Sequence, residues 1–352
     1  MVRLLIAASG TGGHLFPALA LAEYLPDCHI EWLGVRDRLE QTLVGTHYPL
    51  YTIDVEGFQS RNPIKTLKVL FGLVMAVFQV KKLIKEHQIN MVFTTGGYIA
   101  APAILAARLS GIKAILHESN FIPGKVTRLL SRVCDGVALG FEETAQYLPR
   151  NKTVWVSTPV RSQFYSPQPL DLPIPDNVLL IVVVGGSQGA VFINNLVRQC
   201  AHSWLSEGAY IVHLTGTHDP DSSNVQHPHY FPVHFYDNMA GLLQRANLAV
   251  SRAGAGTLTE LAITQTPAIL IPYPFAAEDH QAYNAQIVGK AGAALVYRQE
   301  ELTPEILENS VLKLLRNYEQ LQKMADKAGT LAVFDSAQQL AKMVKQMIIP
   351  NV

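Results

Sequence analysis

The sequence predicts an α/β protein with two Rossmann-like domains, each built on a doubly wound parallel sheet, that face each other across a cleft. Two observations lead to this fold class. Short and almost continuously apolar runs alternate with helical patterns throughout the 352 residues, which is typical of βαβ units whose strands are buried on both faces. The stretch VLLIVVVGGSQGAVFINNL, at 178–196, then repeats the strand, glycine turn and helix that open the chain.

The first domain is predicted over residues 1–162. Its strands are expected at RLLIAAS, IEWLGV, MVFTTGG, AILHES and GVALG, with helices such as PALALAEYL and APAILAARLSG between them. A stretch with four prolines and no periodicity, at 161–177, predicts a linker. The second domain is predicted over 163–335, with strands at VLLIVVV, YIVHLTG, LAVSRAG, AILIPYP and AALVY.

The composition argues against several classes of protein. The chain is 49% hydrophobic and 16% charged, so we expect large buried cores rather than disorder. Its 28 basic and 28 acidic residues give zero net charge, and we therefore expect no nucleic-acid partner. The three cysteines form no CxxC pair and are expected to be reduced core residues of a cytoplasmic protein. The apolar runs are too short to predict a signal peptide or a membrane span.

Four glycine turns follow apolar strands and precede helical patterns, which is where backbone N–H groups and the helix dipole favour an anion. Any single turn of this kind is equally well explained as a tight βα connection. Four of them, spread over both domains, predict more than one phosphate-bearing ligand. They are SGTGGH at 9–14, TTGGY at 94–98, GGSQG at 185–189 and RAGAGT at 252–257.

The first turn does not fit a dinucleotide-binding fingerprint. The third glycine of G-x-G-x-x-G is replaced by Leu15, and the second strand ends in Gly34 and Val35 rather than in an acidic residue. No Walker loop occurs either. His14, just past the glycines, is open to two interpretations: a buried, hydrogen-bonded core histidine, or a general base whose imidazole points into the cleft.

No metal or other cofactor is expected. The only Asp-x-Asp pair is Asp219-Pro220-Asp221, in the polar stretch GTHDPDSSNVQHPH, which is interpreted as a loop. His227 and His229 are spaced like metal ligands but have no clear partner motif. Without a metal, the charge of a phosphate-bearing ligand would rest on helix-start N–H groups and on hydroxyl donors.

The segment 61–87 predicts a helix with two apolar stripes, where one would suffice for packing on a sheet. It carries six basic residues against the single acidic Glu86. Basic charge beside surplus apolar surface favours an anionic membrane surface as a partner, and a fully buried helix with solvated ends is the alternative. The stripes are Ile64, Leu67, Phe71, Val74 and Phe78, and Leu70, Leu73, Val77, Val80 and Ile84.

Together these residues resemble the MurG family, bacterial transferases of N-acetylglucosamine that act on a lipid-linked peptidoglycan precursor. The resemblance covers nearly the whole chain and rests on several motifs in the family's order: GTGGHLFPALALA, GGYIAAPAILAA, HESN with PG behind it, TPVR, GGSQGA, SRAGAGTLTEL and EDHQAYNA. It implies GT-B architecture, a final helix, 336–352, that returns to the N-terminal domain, and a nucleotide sugar held by the C-terminal domain.

The resemblance also implies an activity and a location. The activity is the metal-independent, inverting transfer of N-acetylglucosamine from UDP-GlcNAc to the muramyl C4 hydroxyl of undecaprenyl-diphospho-muramyl-pentapeptide, without a cofactor. The location is the cytoplasmic face of the bacterial plasma membrane, as a peripheral protein.

Site residues carried over from the resemblance fall into three groups. His14 is the proposed base and Glu118, in the HE motif with His117, is the second candidate. Gly96 and Gly97 are expected to hold the acceptor diphosphate. Substrate-binding positions are Thr11, Gly12, Gly13, Asn120, Arg161, Ser187, Asn194, Tyr236, Ala255, Gly256, Thr257, Leu258, Thr259, Glu260 and Gln281.

The chain departs from the family's pattern at four places. Ser119 replaces a more usual Gln, while Thr127 and Thr158 replace Asn, so polar contacts around the acceptor can differ. Tyr236 replaces an aliphatic residue, a silent change if only its backbone reads the base. Two other functions stay open at this point: a GT-B transferase with another lipid acceptor, such as diacylglycerol or a sterol, and a non-catalytic sensor of nucleotide sugars.

Overall fold

A computed structural model describes most of the chain, with the backbone alone for 63–66. The described residues are 2–36, 38–55, 63–149, 152–186, 189–217 and 219–348. The chain forms two compact units: Met1–Arg161 with Asp335–Val352, and Ser162–Phe334.

The first unit is built on a parallel sheet. In its described part seven strands have the order β3-β2-β1-β4-β5-β6-β7. The strands are β1 Val2–Ala7, β2 Cys28–Val35, β3 Leu50–Ile53, β4 Met91–Thr94, β5 Lys113–Glu118, β6 Gly136–Leu139 and β7 Thr153–Trp155. The α-helices are α1 Gly12–Glu23, α2 Glu40–Leu43, α3 Pro63–Glu86, α4 Ala100–Leu109, α5 Lys125–Leu130 and, from the end of the chain, α12 Ser336–Ile348.

The second unit repeats this plan. Six described strands, again all parallel, have the order β10-β9-β8-β11-β12-β13. The strands are β8 Leu180–Val184, β9 Tyr210–Leu214, β10 Tyr230–Val233, β11 Leu248–Ser251, β12 Ala268–Leu270 and β13 Ala294–Val296. The α-helices are α6 Val191–Ser206, α7 Met239–Arg245, α8 Ala255–Ile263, α9 His280–Lys290, α10 Pro304–Leu315 and α11 Tyr318–Gly329.

The near-continuous apolar character of the strands follows from helices on both faces of each sheet. In β1, Leu4 and Ile6 pack with α1 and with Leu340 and Val344 of α12. Leu5 and Ala7 point to the opposite face, toward α3 and α4. Side chains alternate along a strand, so a strand covered on both faces has no polar position.

Each sheet has a point where the strand order reverses. It lies between β1 and β4 in the first unit and between β8 and β11 in the second. Connections leave such a pair of strands in opposite directions, which opens a crevice at their carboxyl ends where ligands bind in this class of fold. All four glycine turns follow one of these four strands.

The predicted linker begins with a short 3-10 helix, Ser162–Tyr165, is irregular after it, and packs as part of the second unit. Phe164 is buried, and the carbonyl of Pro169 accepts a hydrogen bond from the side-chain amide of Asn238 at 2.6 Å. Arg245 donates to the carbonyls of Pro175 and Val178. The proline-rich sequence therefore runs along the surface of the unit and is held there by side-chain donors.

Helix α3 presents one stripe to the core and the other to its surface. Val77, Val80 and Ile84 are buried against the sheet, whereas Leu67 and Phe71 are exposed by 68% and 66%. Leu70, which belongs to the same stripe as Val77, Val80 and Ile84, is also exposed. Arg61 lies outside the described residues. Among the helices that the structure describes, none has the length and apolar content required to span a membrane.

Candidate functional site

The first glycine turn leads from β1 into α1. Gly10 has φ +102°, a region that residues with a side chain rarely adopt, and Thr11 is the N-cap of α1. The N–H groups of Gly12 and Gly13, in the first turn of the helix, have no partner within it. A Cβ on Gly13 would meet Thr11 Oγ1 at 3.7 Å as its nearest described neighbour, so an anion can approach this backbone closely.

His14 joins this turn to the turn that follows β4. Its Nδ1 lies 2.8 Å from the carbonyl oxygen of Thr95, and a carbonyl only accepts, so Nδ1 carries the proton in the neutral ring. Nε2 is then the basic nitrogen. A Cβ on Gly97 would lie 3.7 Å from Nε2, and one on Gly96 3.8 Å from Cε1. With φ values of +93° and +74°, Gly96 and Gly97 leave space beside the imidazole.

The carboxylate of Glu118 accepts hydrogen bonds from the loop that follows it. Its Oε1 accepts from the backbone N–H of Asn120 at 3.0 Å and from the Asn120 side chain at 3.1 Å. Its Oε2 accepts from the backbone N–H of Gly124 at 3.2 Å. The carboxylate is buried and shapes the turn that presents Asn120 at the carboxyl end of β5.

His117 is a structural histidine. It is fully buried between Ser119 Oγ, 3.2 Å from Nδ1, and the carbonyl of Ser157, 3.0 Å from Nε2. Burial lowers its pKa, which keeps the ring neutral. A purely structural role does not fit His14, because the His14 ring is only partly buried and lies beside Gly96 and Gly97.

Arg161 brings a positive charge to the first turn. Its guanidinium lies over the ring of Phe16, 4.3 Å from the centroid. The Phe16 ring in turn covers Gly12, where a Cβ would collide with the ring at 2.6 Å. Cation–π packing of this kind fixes the guanidinium beside the start of α1.

In the second unit, α8 begins at the carboxyl end of β11. Its N-cap is Gly254, which has no side chain to cap the helix. The N–H groups of Ala255, Gly256 and Thr257 form its first turn. Leu258 points into the core, so only its backbone can belong to a site. Thr259 donates its hydroxyl to the carbonyl of Ala255, and Glu260, one turn into the helix, is partly exposed.

Gln281 links the two loops beside this helix start. Its Oε1 accepts from the backbone N–H of Ala253 at 3.2 Å and of Tyr273 at 3.0 Å. The side-chain amide is thereby oriented, and its Nε2 carries N–H donors suited to an acceptor on a ligand.

Arg252 adds a buried cation that the sequence reasoning did not identify. Its guanidinium donates to the carbonyls of Ile271 and Pro272 and to Oε1 of Gln299, all of them neutral acceptors. Burial lowers its pKa to about 10, so it stays charged at neutral pH. Arg252 follows β11 two residues before Gly254, and its acceptors Ile271 and Pro272 follow the neighbouring strand β12, so the charge lies at the carboxyl edge of the sheet. Arg252 is the arginine of the SRAG motif, so this motif could have identified it from the sequence.

Asn194 is completely buried and acts through its neighbours. Its Nδ2 donates to the carbonyl of Thr215 at 2.8 Å and to Asp219 at 2.6 Å, and its Oδ1 accepts from His213 Nε2 at 3.0 Å. A Cβ on Gly189 would collide with the Thr215 oxygen at 2.2 Å. Asn194 therefore positions the loop against which the glycine turn after β8 is packed, rather than offering its own side chain to a ligand.

His213 should make the second unit sensitive to acid. Burial lowers its pKa to about 3, with Arg198 adding to the shift and Asp219 opposing it. The unfolded chain therefore binds a proton between pH 6.5 and 3 that the folded chain does not, and stability falls with decreasing pH by about 1.4 kcal/mol per pH unit. We expect the fall in Tm from pH 7 to pH 5 to be smaller in His213→Gln.

The exposed His202 supplies the matched control for this experiment. His202→Gln should retain the full wild-type dependence of Tm on pH. An unchanged dependence in His213→Gln would contradict the assignment.

Tyr236 and Ser187 complete the predicted substrate-binding residues of the second unit. Tyr236 accepts a hydrogen bond from the backbone N–H of Asp171 at 3.3 Å, so its hydroxyl contacts the proline-rich segment, and burial raises its pKa. Ser187 lies outside the described residues.

The Asp-x-Asp pair is in a turn and held by protein groups. Arg198 contacts Asp219 at 2.7 Å, and the Asp221 N–H donates to Asp219 Oδ1 at 3.1 Å. The His229 ring stacks on Tyr210. Within the described ranges, no three His, Cys, Asp or Glu side chains are grouped so that they could hold a metal ion.

Two family models match this chain. The glycosyltransferase family 28 N-terminal domain matches residues 4–139, and the glycosyltransferase family 28 C-terminal domain matches residues 180–346. Each match contains the switch-point turns of one unit.

Curated relatives match over the full length. A protein of Rippkaea orientalis is 74% identical over 348 residues, which are 99% of this chain and 99% of the relative. A protein of Gloeothece citriformis is 67% identical over 344 residues, 98% of this chain and 96% of the relative. Both are named UDP-N-acetylglucosamine--N-acetylmuramyl-(pentapeptide) pyrophosphoryl-undecaprenol N-acetylglucosamine transferase.

A solved structure agrees with these relatives. The crystal structure of MurG from Acinetobacter baumannii matches with a TM-score of 0.74 at 30% identity, covering 98% of this chain and 100% of that one. The fold is therefore GT-B, as the sequence predicted. On these matches the chain belongs to glycosyltransferase family 28 and, within it, to the MurG family.

Proposed function

We propose that this chain transfers N-acetylglucosamine from UDP-N-acetylglucosamine to the muramyl C4 hydroxyl of an undecaprenyl-diphospho-muramyl-pentapeptide. The observation that carries the proposal is the 74% identity, over 99% of both chains, to a relative named for this transfer. The two switch-point sites supply chemistry that the reaction needs: positive charge for a diphosphate in each unit, and a basic nitrogen in the first.

The second unit is the proposed donor site. The N–H groups at the start of α8 and the Arg252 charge meet the needs of a departing UDP, because preorganised donors stabilise charge that develops in the transition state. Gln281 and Glu260 offer a donor amide and a carboxylate for sugar hydroxyls. Tyr236, through its backbone, is proposed to read the uracil edge, and Ser187 to contact the diphosphate.

The first unit is the proposed acceptor site, with His14 as the base. The C4 oxygen attacks C1 of the donor sugar, so that a C1–O bond forms while the bond from C1 to the diphosphate oxygen breaks. His14 Nε2 takes the hydroxyl proton, and UDP leaves with the bonding electron pair. Direct displacement inverts the α-linked donor to a β-linked product. The turns at Thr11–Gly13 and Gly96–Gly97, with Asn120 and Arg161, would hold the acceptor diphosphate.

The hydrogen bond to Thr95 supports this role for His14. A base needs its free nitrogen on the substrate side, and the Nδ1–H···O=C bond of 2.8 Å leaves Nε2 in that state. Glu118 fits the role less well, because both carboxylate oxygens already accept hydrogen bonds from the 120–124 turn.

We also propose that α3 docks on an anionic membrane surface from the cytoplasmic side. The acceptor's lipid is embedded in a bilayer, and an exposed apolar stripe beside basic residues suits that interface. Leu67, Phe71 and Phe78 are exposed, and Lys81 and Lys82 extend from the same helix into solvent.

The test is product formation from labelled UDP-N-acetylglucosamine. A lipid-linked muramyl-pentapeptide acceptor should yield the β-linked disaccharide, whereas diacylglycerol should yield no product. UDP-sugar should bind far more tightly than ADP- or GDP-sugar in calorimetric titrations. Transfer to diacylglycerol alone, or equal affinity for the three donors, would contradict the proposal.

Transfer should persist in excess chelator. The α8 N–H groups and the Arg252 guanidinium are proposed to carry the diphosphate charge, so EDTA is expected to lower kcat by no more than a few-fold. Initial rates with and without EDTA, followed by readdition of Mg²⁺, measure this. Complete loss that Mg²⁺ reverses would show that a divalent cation is required.

A further inference from the structure

A buried carboxylate that the mechanism does not use lies behind the first glycine turn. Glu40, the first residue of α2, is 0% exposed. Its Oε1 accepts from the hydroxyl of Ser9 at 2.6 Å and from the backbone N–H of Val35 at 2.8 Å. Its Oε2 accepts from the backbone N–H of Gly10 at 3.2 Å. Burying a carboxylate is costly unless such donors surround it.

The position of this side chain follows from the way two strands separate. The pairing of β1 with β2 ends at Ala7 and Leu33, with one more bond from the Ala8 N–H to the Leu33 carbonyl at 3.3 Å. Beyond that point β2 continues along β3, while β1 turns into the glycine segment. The Glu40 carboxylate fills the gap and bridges Val35 on one side to Ser9 and Gly10 on the other.

Two residues of β2, Gly34 and Trp32, support the contact between the Glu40 carboxylate and the glycine turn. A Cβ on Gly34 would meet Glu40 Cγ at 2.8 Å and Oε1 at 3.0 Å, so a glycine is needed for the carboxylate to reach the gap. Trp32, also on β2, donates its indole N–H to the carbonyl of Ala8 at 2.8 Å. Three successive residues of the turn, 8–10, are thus held from the side of β2.

The contact with Glu40 affects the residues that follow Gly10. The N–H of Gly10 is bound to Glu40, and its φ of +102° turns the chain so that it continues into Thr11 and the first turn of α1. The N–H groups of Gly12 and Gly13 owe their direction to that anchored peptide. We propose that Glu40 is a positioning residue, which holds the 9–13 turn in the shape that binds a diphosphate-bearing substrate.

The proposal rests on the proposed function for the identity of that substrate, which is the lipid-linked acceptor. Glu40 itself is buried and does not touch it. Glu40→Gln keeps the shape of the side chain but replaces one oxygen with an N–H donor, so one of the three bonds is lost. The free energy of a hydrogen bond to a charged group is large enough to change a binding constant by roughly 10-fold or more. Gly34→Ala should displace the carboxylate without removing it.

The experiment measures KM for a short-chain lipid-linked acceptor, KM for UDP-N-acetylglucosamine, kcat and Tm. The matched control is Glu143→Gln, an exposed glutamate of the same unit. Both Glu40→Gln and Gly34→Ala should raise KM for the acceptor by roughly 10-fold, while KM for UDP-N-acetylglucosamine stays near the wild-type value and kcat changes by less than about 3-fold. An unchanged KM for the acceptor, or loss of kcat and Tm alone, would overturn the proposal.

A binding measurement separates this inference from the proposed function. In ¹⁵N-labelled protein, inorganic pyrophosphate should shift the backbone amide signals of Gly12 and Gly13, and Glu40→Gln should need roughly 10-fold more pyrophosphate. If the wild type transferred no sugar but this difference remained, the proposed function would fail and the role of Glu40 would stand. Equal titrations for the two proteins would refute it.

Discussion

His14→Ala should lower kcat by ~10²–10⁴-fold, the usual effect of removing a general base. The affinity for UDP-N-acetylglucosamine should stay nearly unchanged, because the donor is proposed to bind the other unit. The fold should also survive, since the residue loses a single side-chain hydrogen bond, to the carbonyl of Thr95. Steady-state kinetics at saturating acceptor and calorimetric titration of the donor measure the two effects separately.

Chemical rescue distinguishes a base from a structural histidine. Gly96 and Gly97 leave space beside the ring, so added imidazole should restore part of kcat in His14→Ala and have no such effect on the wild type. Near-normal kcat in the variant would show that His14 is structural. A water molecule or Glu118 would then be the better candidate for the base.

Gly13→Val is the matched contrast, because it should affect binding rather than chemistry. A Cβ at Gly13 has no described neighbour closer than 3.7 Å, so Tm is expected to stay near the wild-type value. The branched side chain should block the approach of an anionic group to the start of α1 and raise KM for the acceptor. If both KM and kcat were normal, the turn would not be a ligand site.

The fold class could be predicted because its buried strands leave a strong pattern. Strands β1, β4, β5, β8 and β11 are covered on both faces and read as continuous apolar runs. The strands that the pattern missed are β3, β7 and β10, and all three are at sheet edges. Val154 and Trp155 of β7 are exposed, and β10 contains Pro232. An edge strand is held by one neighbour and needs no unbroken apolar run.

The candidate site could be predicted from the sequence only where its chemistry lies in short motifs. The glycine turns and His14 were proposed as site residues because each motif follows directly on a strand. Glu40 and Arg252 were missed, since their importance depends on partners that are distant in sequence or on backbone atoms: Ser9 is 31 residues from Glu40, and the Arg252 acceptors follow the next strand. Asn194 was predicted as a ligand contact, but no sequence pattern distinguishes a buried amide from an exposed one.

The apolar surface of α3 should control binding to membranes. Phe71 and Phe78 are exposed by 66% and 59%, and moving such side chains from water into the interface is worth roughly 1–2 kcal/mol each. Phe71→Ser with Phe78→Ser should therefore weaken binding to vesicles by roughly 30- to 1,000-fold. Cosedimentation with phosphatidylglycerol-containing vesicles and with neutral vesicles measures this.

Two comparison variants separate apolar contact from charge. Replacing Lys81, Lys82 and Lys85 with Gln should weaken binding to anionic vesicles alone, at about 1 kcal/mol per cation, because bilayers without anionic lipid offer no attraction for these charges. Ile306→Ser with Tyr318→Ser, which removes exposed apolar groups from the second unit, should bind like the wild type. The phenylalanine variant should retain normal kcat with a short-chain, water-soluble acceptor. If it bound vesicles as tightly as the wild type, α3 would not be the docking helix, and its exposed stripe would need another partner.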